Sequence, residues 1–350
     1  MPKRTPSREQ GGLRTAGVSY SGAKILITGG TGSIGGELLT TLLKHGPKRV
    51  VVFTNDENGL FEKRSEVGAR EDVEFMLGDV RDPRSLENAM KDCDFVFHAA
   101  ALKHVTFCET NPYEAITTNI LGTQNVIDCA VKHGVKKFVF ISTDKSVNPI
   151  NTLGATKLLA EKLVISASKL TKTPVFSIVR FGNVIGSRGS VVLIFEKQVR
   201  GGGPITITDP NMTRFIMAPS QASELILRAA EAAKPGEIFV LKMKTVRIGE
   251  LAEACRIFFS KRLSLDPKGI AIKRIGVQPG EKVHEELMNE TEMASAVDSD
   301  DFYVINPNQR VGGLIARRGG RNGFSSNDVS PLSTEEMVSE LSQLYSSRGV

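Results

Sequence analysis

The sequence predicts an α/β fold, a doubly wound parallel sheet with a smaller C-terminal α+β lobe. Three observations carry this. Along the first half, short apolar runs rich in β-branched and aromatic residues alternate with stretches of helical period. The first such run, at 24–28, passes directly into the glycine turn Gly29-Gly30-Thr31-Gly32-Ser33-Ile34-Gly35 and then a helix over 37–45. Polar side chains gather just past the apolar runs, where an open parallel sheet presents its chemistry.

In order, strands are expected at 24–28, 49–53, 73–77, 95–101, 137–141 and 175–179. Helices are expected at 37–45, 112–133 and 158–168. The second half is less regular. Short strands are expected at 204–207 and 213–216, and helices at 191–200, 221–233, 247–259 and 333–345, with another after Gln278-Pro279-Gly280-Glu281-Lys282. For Glu281, a cap on that last helix is the plain alternative to a binding role.

Glycines 29, 32 and 35 suit a dinucleotide: a tight turn, close backbone approach to a pyrophosphate, and a helix N-terminus offering free N–H groups to it. The end of the second strand reads Thr54-Asn55-Asp56, so its first two places are neutral. That favours NADP over NAD, with Asp56 still in reach of a ribose. Asp79, in a polar turn, suits an adenine edge, while Asp82 before Pro83 reads as a helix cap. Beyond the fifth strand stand a hydroxyl, a carboxylate and two amines: Thr143, Asp144, Lys145 and, in the following helix, Lys157. An adjacent acid and base at a strand end suit two proton transfers in one reaction; an ordinary solvated pair is the plain alternative. His98, in an apolar strand, reads as a satisfied core group, and His104 and His284 read equally as packing polar groups or as ligands.

The totals bound the rest. The chain has 350 residues, 40% hydrophobic and 24% charged, which suits a globular core of one large or two moderate domains. The net charge of +6 comes largely from basic ends without interleaved aromatics, which argues against nucleic acid as a partner. Cys93, Cys108, Cys129 and Cys255 lack metal-ligand spacing and read as buried thiols, with no metal. No apolar run is long enough to span a bilayer and the N-terminus has no signal pattern, so a cytoplasmic location is expected.

The blocks TGGTGSIG (28–35), HAAALKHV (98–105), NILGTQNV (119–126), STDKSVNPINTLGATK (142–157), RFGNVIGSRGSV (180–191), MTRFIM (212–217) and PGEKVHEEL (279–287) together resemble the extended short-chain dehydrogenase/reductase family. More narrowly, the chain is similar over 24–306 to nucleotide-sugar 4,6-dehydratases acting on UDP-N-acetylglucosamine. The resemblance implies a Rossmann domain at 23–183, joined by parts of 215–245, and a UDP-sugar lobe at 184–306. Outside these lie a flexible basic N-terminus (1–22) and a Gly/Ser/Arg-rich tail (307–350). It implies a homo-oligomer and a place in surface polysaccharide biosynthesis.

The resemblance also implies site residues. For NADP, or alternatively NAD, these are Gly29, Thr31, Gly32, Ser33, Ile34, Gly35, Thr54, Asn55, Asp56, Asp79, Val80, Ala99, Ala100, Ala101, Lys103, Asn119 and Lys157. For the UDP-sugar they are Lys103, His104, Asn183, Ser187, Arg188, Val191, Thr206, Arg214, Arg247, Gln278 and Glu281. For the chemistry they are Thr143, Asp144, Lys145 and Lys157. Two departures stand out: the family's Tyr four residues before Lys157 is Leu153, and the Arg expected before Pro279 is Gln278. The expected chemistry is internal redox with loss of water. Lys145 would be the C5 base, its pKa lowered by burial and nearby Lys157, and Asp144 the acid at O6. Thr143 would bond O4, with Asp144 or a water ordered by Thr143 and Lys157 taking the O4 proton. A 4-epimerase on the same scaffold and a non-catalytic NAD(P)- or UDP-sugar-binding regulator remain the alternatives.

Overall fold

The structure, a computed structural model, describes residues 19–307 and 323–347. The alternation seen in the sequence closes into a sheet because its runs, Ile25, Val51, Val96, Phe138 and Phe176 among them, are buried on both faces. In chain order the first half reads β1 (Lys24–Thr28), α1 (Ser33–Leu43), β2 (Arg49–Thr54), α2 (Glu57–Val67), β3 (Val73–Leu77), α3 (Pro83–Met90), β4 (Phe95–His98), α4 (Val105–Thr110) and α5 (Pro112–Ala115). A π-helical turn, Ile116–Leu121, follows, then α6 (Gly122–Lys132), β5 (Lys137–Ile141), α7 (Thr152–Leu170) and β6 (Val175–Arg180).

The second half continues with β7 (Asn183–Val184), α8 (Val191–Arg200), β8 (Ile205–Ile207), β9 (Thr213–Met217), α9 (Pro219–Ala232), β10 (Ile238–Leu241), β11 (Lys244–Arg247), α10 (Ile248–Arg262) and β12 (Ile272–Arg274). It ends with β13 (Glu286–Met288), α11 (Glu290–Ser295), β14 (Val297–Asp298), β15 (Phe302–Ile305), β16 (Phe324–Ser325), β17 (Pro331–Leu332) and α12 (Thr334–Ser347).

Nine strands form the main sheet in the order β14-β15-β10-β6-β5-β4-β1-β2-β3. From β3 to β10 all neighbours are parallel, and β15 and β14 add antiparallel. The winding direction reverses at β1, which lies between β2 and β4, so the crevice for a ligand opens past the carboxyl ends of these strands. A second core is built from β11, α8 and α10, around Val192, Phe195, Val246, Leu251 and Phe259. The terminal helix α12 closes it with Met337, Leu341 and Tyr345.

Several expectations are corrected. The chain is already anchored inside the segment expected to be flexible: Tyr20 is buried and its hydroxyl donates to the Leu227 carbonyl at 2.9 Å. The remainder of that segment, 1–18, and 308–322 of the tail lie outside the described residues. No helix follows Pro279–Lys282; β13 comes next, and α11 begins at Glu290. Glu281 therefore caps no helix, and its carboxylate accepts from the Gln278 N–H at 3.2 Å, closing a turn. β14 and β15, placed with the lobe by sequence, hydrogen-bond into the main sheet. α7 starts at Thr152, capped by Asn151, whose side chain accepts from the Gly154 N–H at 2.8 Å.

Candidate active site

The glycine turn fits a dinucleotide by close packing. Gly29 has φ +67°, and a Cβ there would lie 2.7 Å from the Ala100 nitrogen, while one on Gly35 would lie 2.3 Å from the Gly29 carbonyl oxygen. The turn delivers α1 with Gly32 at its N-cap and no side chain covering the first N–H groups, as a pyrophosphate needs. Thr31 and Thr54 face each other, hydroxyl to hydroxyl, at 3.4 Å. Asp79 accepts from Asn55 at 3.1 Å and from Arg81, whose guanidinium lowers its pKa. Asp56 caps α2 through the Gly59 N–H at 2.9 Å and pairs with Arg188 at 2.8 Å, and these two contacts lower its pKa. Asn119, buried in the π-helical turn, accepts from the Leu102 N–H at 2.8 Å and donates to Thr156 at 3.0 Å, tying the end of β4 to α7. Val80 is buried and its carbonyl accepts from Asn125 at 3.0 Å. His98 is core, as expected, with Thr28 and Thr123 hydroxyls on its two ring nitrogens at 2.7 and 2.9 Å.

Past β5 the chain turns through Thr143 into one 3-10 turn, Asp144–Ser146. α7 presses on this turn: a Cβ on Gly154 would sit 2.2 Å from the Lys145 carbonyl oxygen. Asp144 is fully buried. One carboxylate oxygen, Oδ1, accepts from the Thr143 hydroxyl at 2.9 Å and from Lys145 Nζ at 3.0 Å, while the other, Oδ2, has no partner among the described residues. Burial pushes the Asp144 carboxyl up; Lys145 opposes this, and the nearby Glu285 carboxylate reinforces it.

Lys145 also reaches Glu285, whose Oε1 lies 3.1 Å from Nζ. Burial alone would lower the amine, but Asp144 and Glu285 outweigh it and hold the pKa at about 12. This corrects the sequence expectation of a lowered lysine: the acidic neighbours, not Lys157, dominate its surroundings. The lowered amine is Lys157, buried, with Nζ donating to the Ile141 carbonyl at 2.6 Å and lying 4.0 Å from the centre of the Phe140 ring. Burial brings its pKa down to about 7.

Leu153 is buried and packs with Cys108, Ala115, Leu102 and Val105, so the family's tyrosine position is here a piece of core. Of the substrate candidates, Arg188 reaches the glycine turn: its N–H donates to the Ser33 hydroxyl at 2.8 Å, and Lys103 Nζ donates to its carbonyl. His104 packs over Gly189, where a Cβ would meet its ring at 2.8 Å. Burial, then Lys103, lower the His104 pKa. Asn183 has a buried Oδ1 without a partner among the described residues. Arg214 donates to the Thr213 and Val283 carbonyls at 2.8 and 3.2 Å. Thr206 is held by Gln198, which contacts both its N–H and its hydroxyl. Ser187 donates its N–H to the Val184 carbonyl, Val191 opens α8, and Arg247 and Gln278 are exposed.

Sequence reasoning missed Glu285 and a second buried cluster of Glu161, Arg180 and Glu292. The signals were present: Arg180 ends an otherwise apolar strand, and Glu285 sits inside the block PGEKVHEEL.

Residues 25–307 match the family model described as polysaccharide biosynthesis protein. The chain is 46% identical, over 93% of its length and 97% of the relative's, to an uncharacterized membrane protein of Methanocaldococcus jannaschii. It is 41% identical, over 83% of its length and 85% of the relative's, to a UDP-N-acetylglucosamine 4,6-dehydratase (inverting) of Campylobacter jejuni. It is likewise 41% identical, over 80% of its length and 82% of the relative's, to a UDP-glucose 4-epimerase of Rickettsia rickettsii. Among solved structures, Pen from Bacillus thuringiensis superposes with a TM-score of 0.86 at 39% identity, covering 93% of this chain and 98% of that one. No helix among the described residues is long and apolar enough to cross a membrane. With the glycine turn, the switch point at β1 and these matches in agreement, the chain belongs to the polysaccharide biosynthesis protein family, within the extended short-chain dehydrogenases/reductases.

Proposed function

We propose that this protein is a nicotinamide-dependent 4,6-dehydratase that converts UDP-N-acetylglucosamine to a UDP-4-keto-6-deoxy-hexosamine. One observation carries the reading: at the end of β5 a buried acid, Asp144, pairs with the partly exposed amine of the adjacent Lys145, and the acid has a bare oxygen. Epimerisation at C4 has no use for that pair, because it breaks no bond at C5 or C6. This favours the dehydratase among relatives named for either activity.

When bound, a nicotinamide would supply the redox chemistry, hydride exchange at C4 and C6 of the sugar. The Gly29–Gly35 turn and the N-terminus of α1 would hold its pyrophosphate. NADP is favoured by the neutral Thr54 and Asn55, and by Asp56, whose two oxygens are already engaged by Gly59 and Arg188. Thr143 bonds the sugar O4. Lys157 stabilises charge at that oxygen and, with a pKa of about 7, is partly an amine at neutral pH and available to take the O4 proton in place of the missing tyrosine. Once C4 is a ketone the C5 hydrogen is acidic. Lys145, in its amine form, removes it, and Asp144, whose carboxyl burial pushes up, gives a proton to the departing 6-hydroxyl.

The test is incubation of the purified protein with UDP-N-acetylglucosamine, with mass analysis of the sugar and of any dinucleotide released on denaturation. A product lighter by one water is expected. A product of unchanged mass that runs as the C4 epimer would establish the epimerase, and UDP-N-acetylglucosamine left unaltered would leave the non-catalytic binder.

A further inference from the structure

The resemblance assigns Arg188 to the UDP-sugar, yet its donors find their acceptors in the dinucleotide half. Nη1 donates to Asp56 Oδ2 at 2.8 Å, Nη2 to the Thr31 carbonyl at 3.4 Å, and the backbone N–H to the Ser33 hydroxyl at 2.8 Å. Thr31 and Ser33 belong to the glycine turn, and Asp56 stands just past β2. In a sheet of this topology the 2′ position of the adenosine ribose falls between those two places. We infer that Arg188 selects the dinucleotide: it receives a 2′-phosphate and covers the acid that would otherwise hold a bare 2′-hydroxyl. The inference rests on the NADP reading and moves Arg188 from the sugar to the cofactor.

The placement does not hang on the ion pair with Asp56. That pair is largely exposed, with 58% of the Arg188 side chain open to solvent, and alone it would be weak. The backbone holds the guanidinium in position. Gly186 and Gly189 flank the residue with φ of +66° and +71°, so the chain turns sharply on both sides of it. The Ser190 N–H donates to the Ser187 carbonyl at 2.8 Å and closes the loop on itself. Arg188 is then pinned from two directions, by Ser33 at its N–H and by Lys103 Nζ at its carbonyl.

Asp56 is folded back onto α2. Its Oδ1 accepts from the Gly59 N–H at 2.9 Å, and a Cβ on Gly59 would lie 2.3 Å from its Oδ2. Uncovered, this carboxylate would accept from a ribose 2′-hydroxyl and repel a 2′-phosphate. A cavity of about 400 Å³ opens beside it, between α1 and α2. Glu37, Glu62 and Glu66 line that space, and Lys63 there is paired with Glu66 at 2.6 Å. Without Arg188 this rim is acidic and unfavourable to a phosphate. The guanidinium fork has five N–H donors, enough to keep Asp56 covered while it meets phosphate oxygens.

The experiment incubates the full-length chain with excess NAD and NADP in equal amounts until the bound fraction stops changing. Free dinucleotide is removed, the protein is denatured, and the NADP-to-NAD ratio it held is measured. Wild type should hold NADP over NAD by about tenfold or more. Arg188→Gln should lower that ratio about 10- to 100-fold, the size of one charge-assisted contact. Arg188→Ala removes the same charge and reads the same quantity if the glutamine variant fails to fold. Arg188→Lys keeps the charge and loses the fork, so its ratio should fall between wild type and the neutral variants. Neutral variants within threefold of wild type would overturn the inference and leave the NADP reading standing. That is also the result if Arg188 only fastens its loop over the pyrophosphate, because both dinucleotides carry the pyrophosphate and would be lost alike. A lysine variant no better than glutamine would overturn it too. Wild type holding mostly NAD would instead remove the NADP reading, and this inference with it.

Discussion

Two clusters in this molecule share one formula, a cation between two carboxylates, and both join the end of the parallel sheet to the segment 285–292. In the first, Arg180 donates from Nε and both terminal nitrogens to Glu161 and Glu292 at 2.7–3.1 Å and to the Leu287 carbonyl at 2.9 Å. Glu161 also accepts from Ser142 and Ser146 at 2.5 and 2.8 Å. All five guanidinium hydrogens have acceptors in this geometry. In the second cluster, Lys145 meets Asp144 and Glu285, and each acid keeps one oxygen bare. The charges are alike in the two. Exposure and unused hydrogen-bonding capacity separate them: Arg180 is 1% exposed with every donor taken, a closed strut, whereas the lysine cluster is open, its Lys145 side chain 23% exposed beside two acids that each keep a bare oxygen.

The largest effect that would break or sharpen this contrast is expected at the open cluster. Asp144→Asn keeps the shape and removes the transferable proton, so water loss should fall on the order of 10³-fold. Denaturant unfolding should shift by no more than about 1 kcal/mol, because asparagine still accepts from Thr143 and Lys145 still has Glu285. Full activity in this variant would end the acid role of Asp144.

At the closed cluster the pattern should reverse. Arg180→Met leaves Glu161 and Glu292 buried without their cation, at a cost of about 3–5 kcal/mol in stability. Because Ser142 precedes Thr143 and bonds Glu161, whatever protein folds should also lose activity. A variant as stable as wild type would show that the strut is not one.

How legible each cluster was in the sequence follows from what made it. Thr143, Asp144 and Lys145 are neighbours in the chain, placed by an apolar run that reads as a strand and a periodic stretch that reads as a helix. The glycine turn was legible for the same reason, since Gly29 and Gly35 act within a few residues of each other. Glu285 becomes part of the site only when β9 and the chain around Ser326 carry it there, and no local period signals that. The stretch before it, Pro279–Lys282, has the composition of a helix start. The tertiary pairing of Thr213 with the backbone near Val283 and with His284 overrides that preference. The raised pKa of Lys145 was missed with Glu285, because one carboxylate in sequence became two in space.

A third basic side chain, Lys157, tests whether burial without a carboxylate at hydrogen-bonding distance acts differently from both clusters. Lys157 has a carbonyl and an aromatic face as its near neighbours, and its folded pKa of about 7 lies below the ordinary lysine value. Between those two values the unfolded chain binds a proton that the folded chain does not, so this group makes stability rise with pH. Its cost is greatest below pH 7, where a buried ammonium is retained, and fades as pH climbs toward 10. Lys157→Met should therefore stabilise most at pH 6.5, with the advantage over wild type shrinking by about 2 kcal/mol by pH 9. Unfolding midpoints of both proteins across that range measure it, and an advantage that grows with pH would contradict the assignment.

The smallest effect is expected at Leu153, where the site meets ordinary core. Tyrosine there would restore the family's residue four positions before Lys157, on the first turn of α7. If Lys157 already takes the O4 proton, the new phenol adds little, and the turnover rate should stay within threefold of wild type or rise. The added volume has to fit among Cys108, Ala115, Leu102 and Val105, which costs about 1–3 kcal/mol of stability. Steady-state turnover together with a denaturant midpoint separates the two consequences. A rate that collapses while the midpoint holds would mean that Leu153 shapes the sugar pocket directly, placing it with the open cluster rather than with the core.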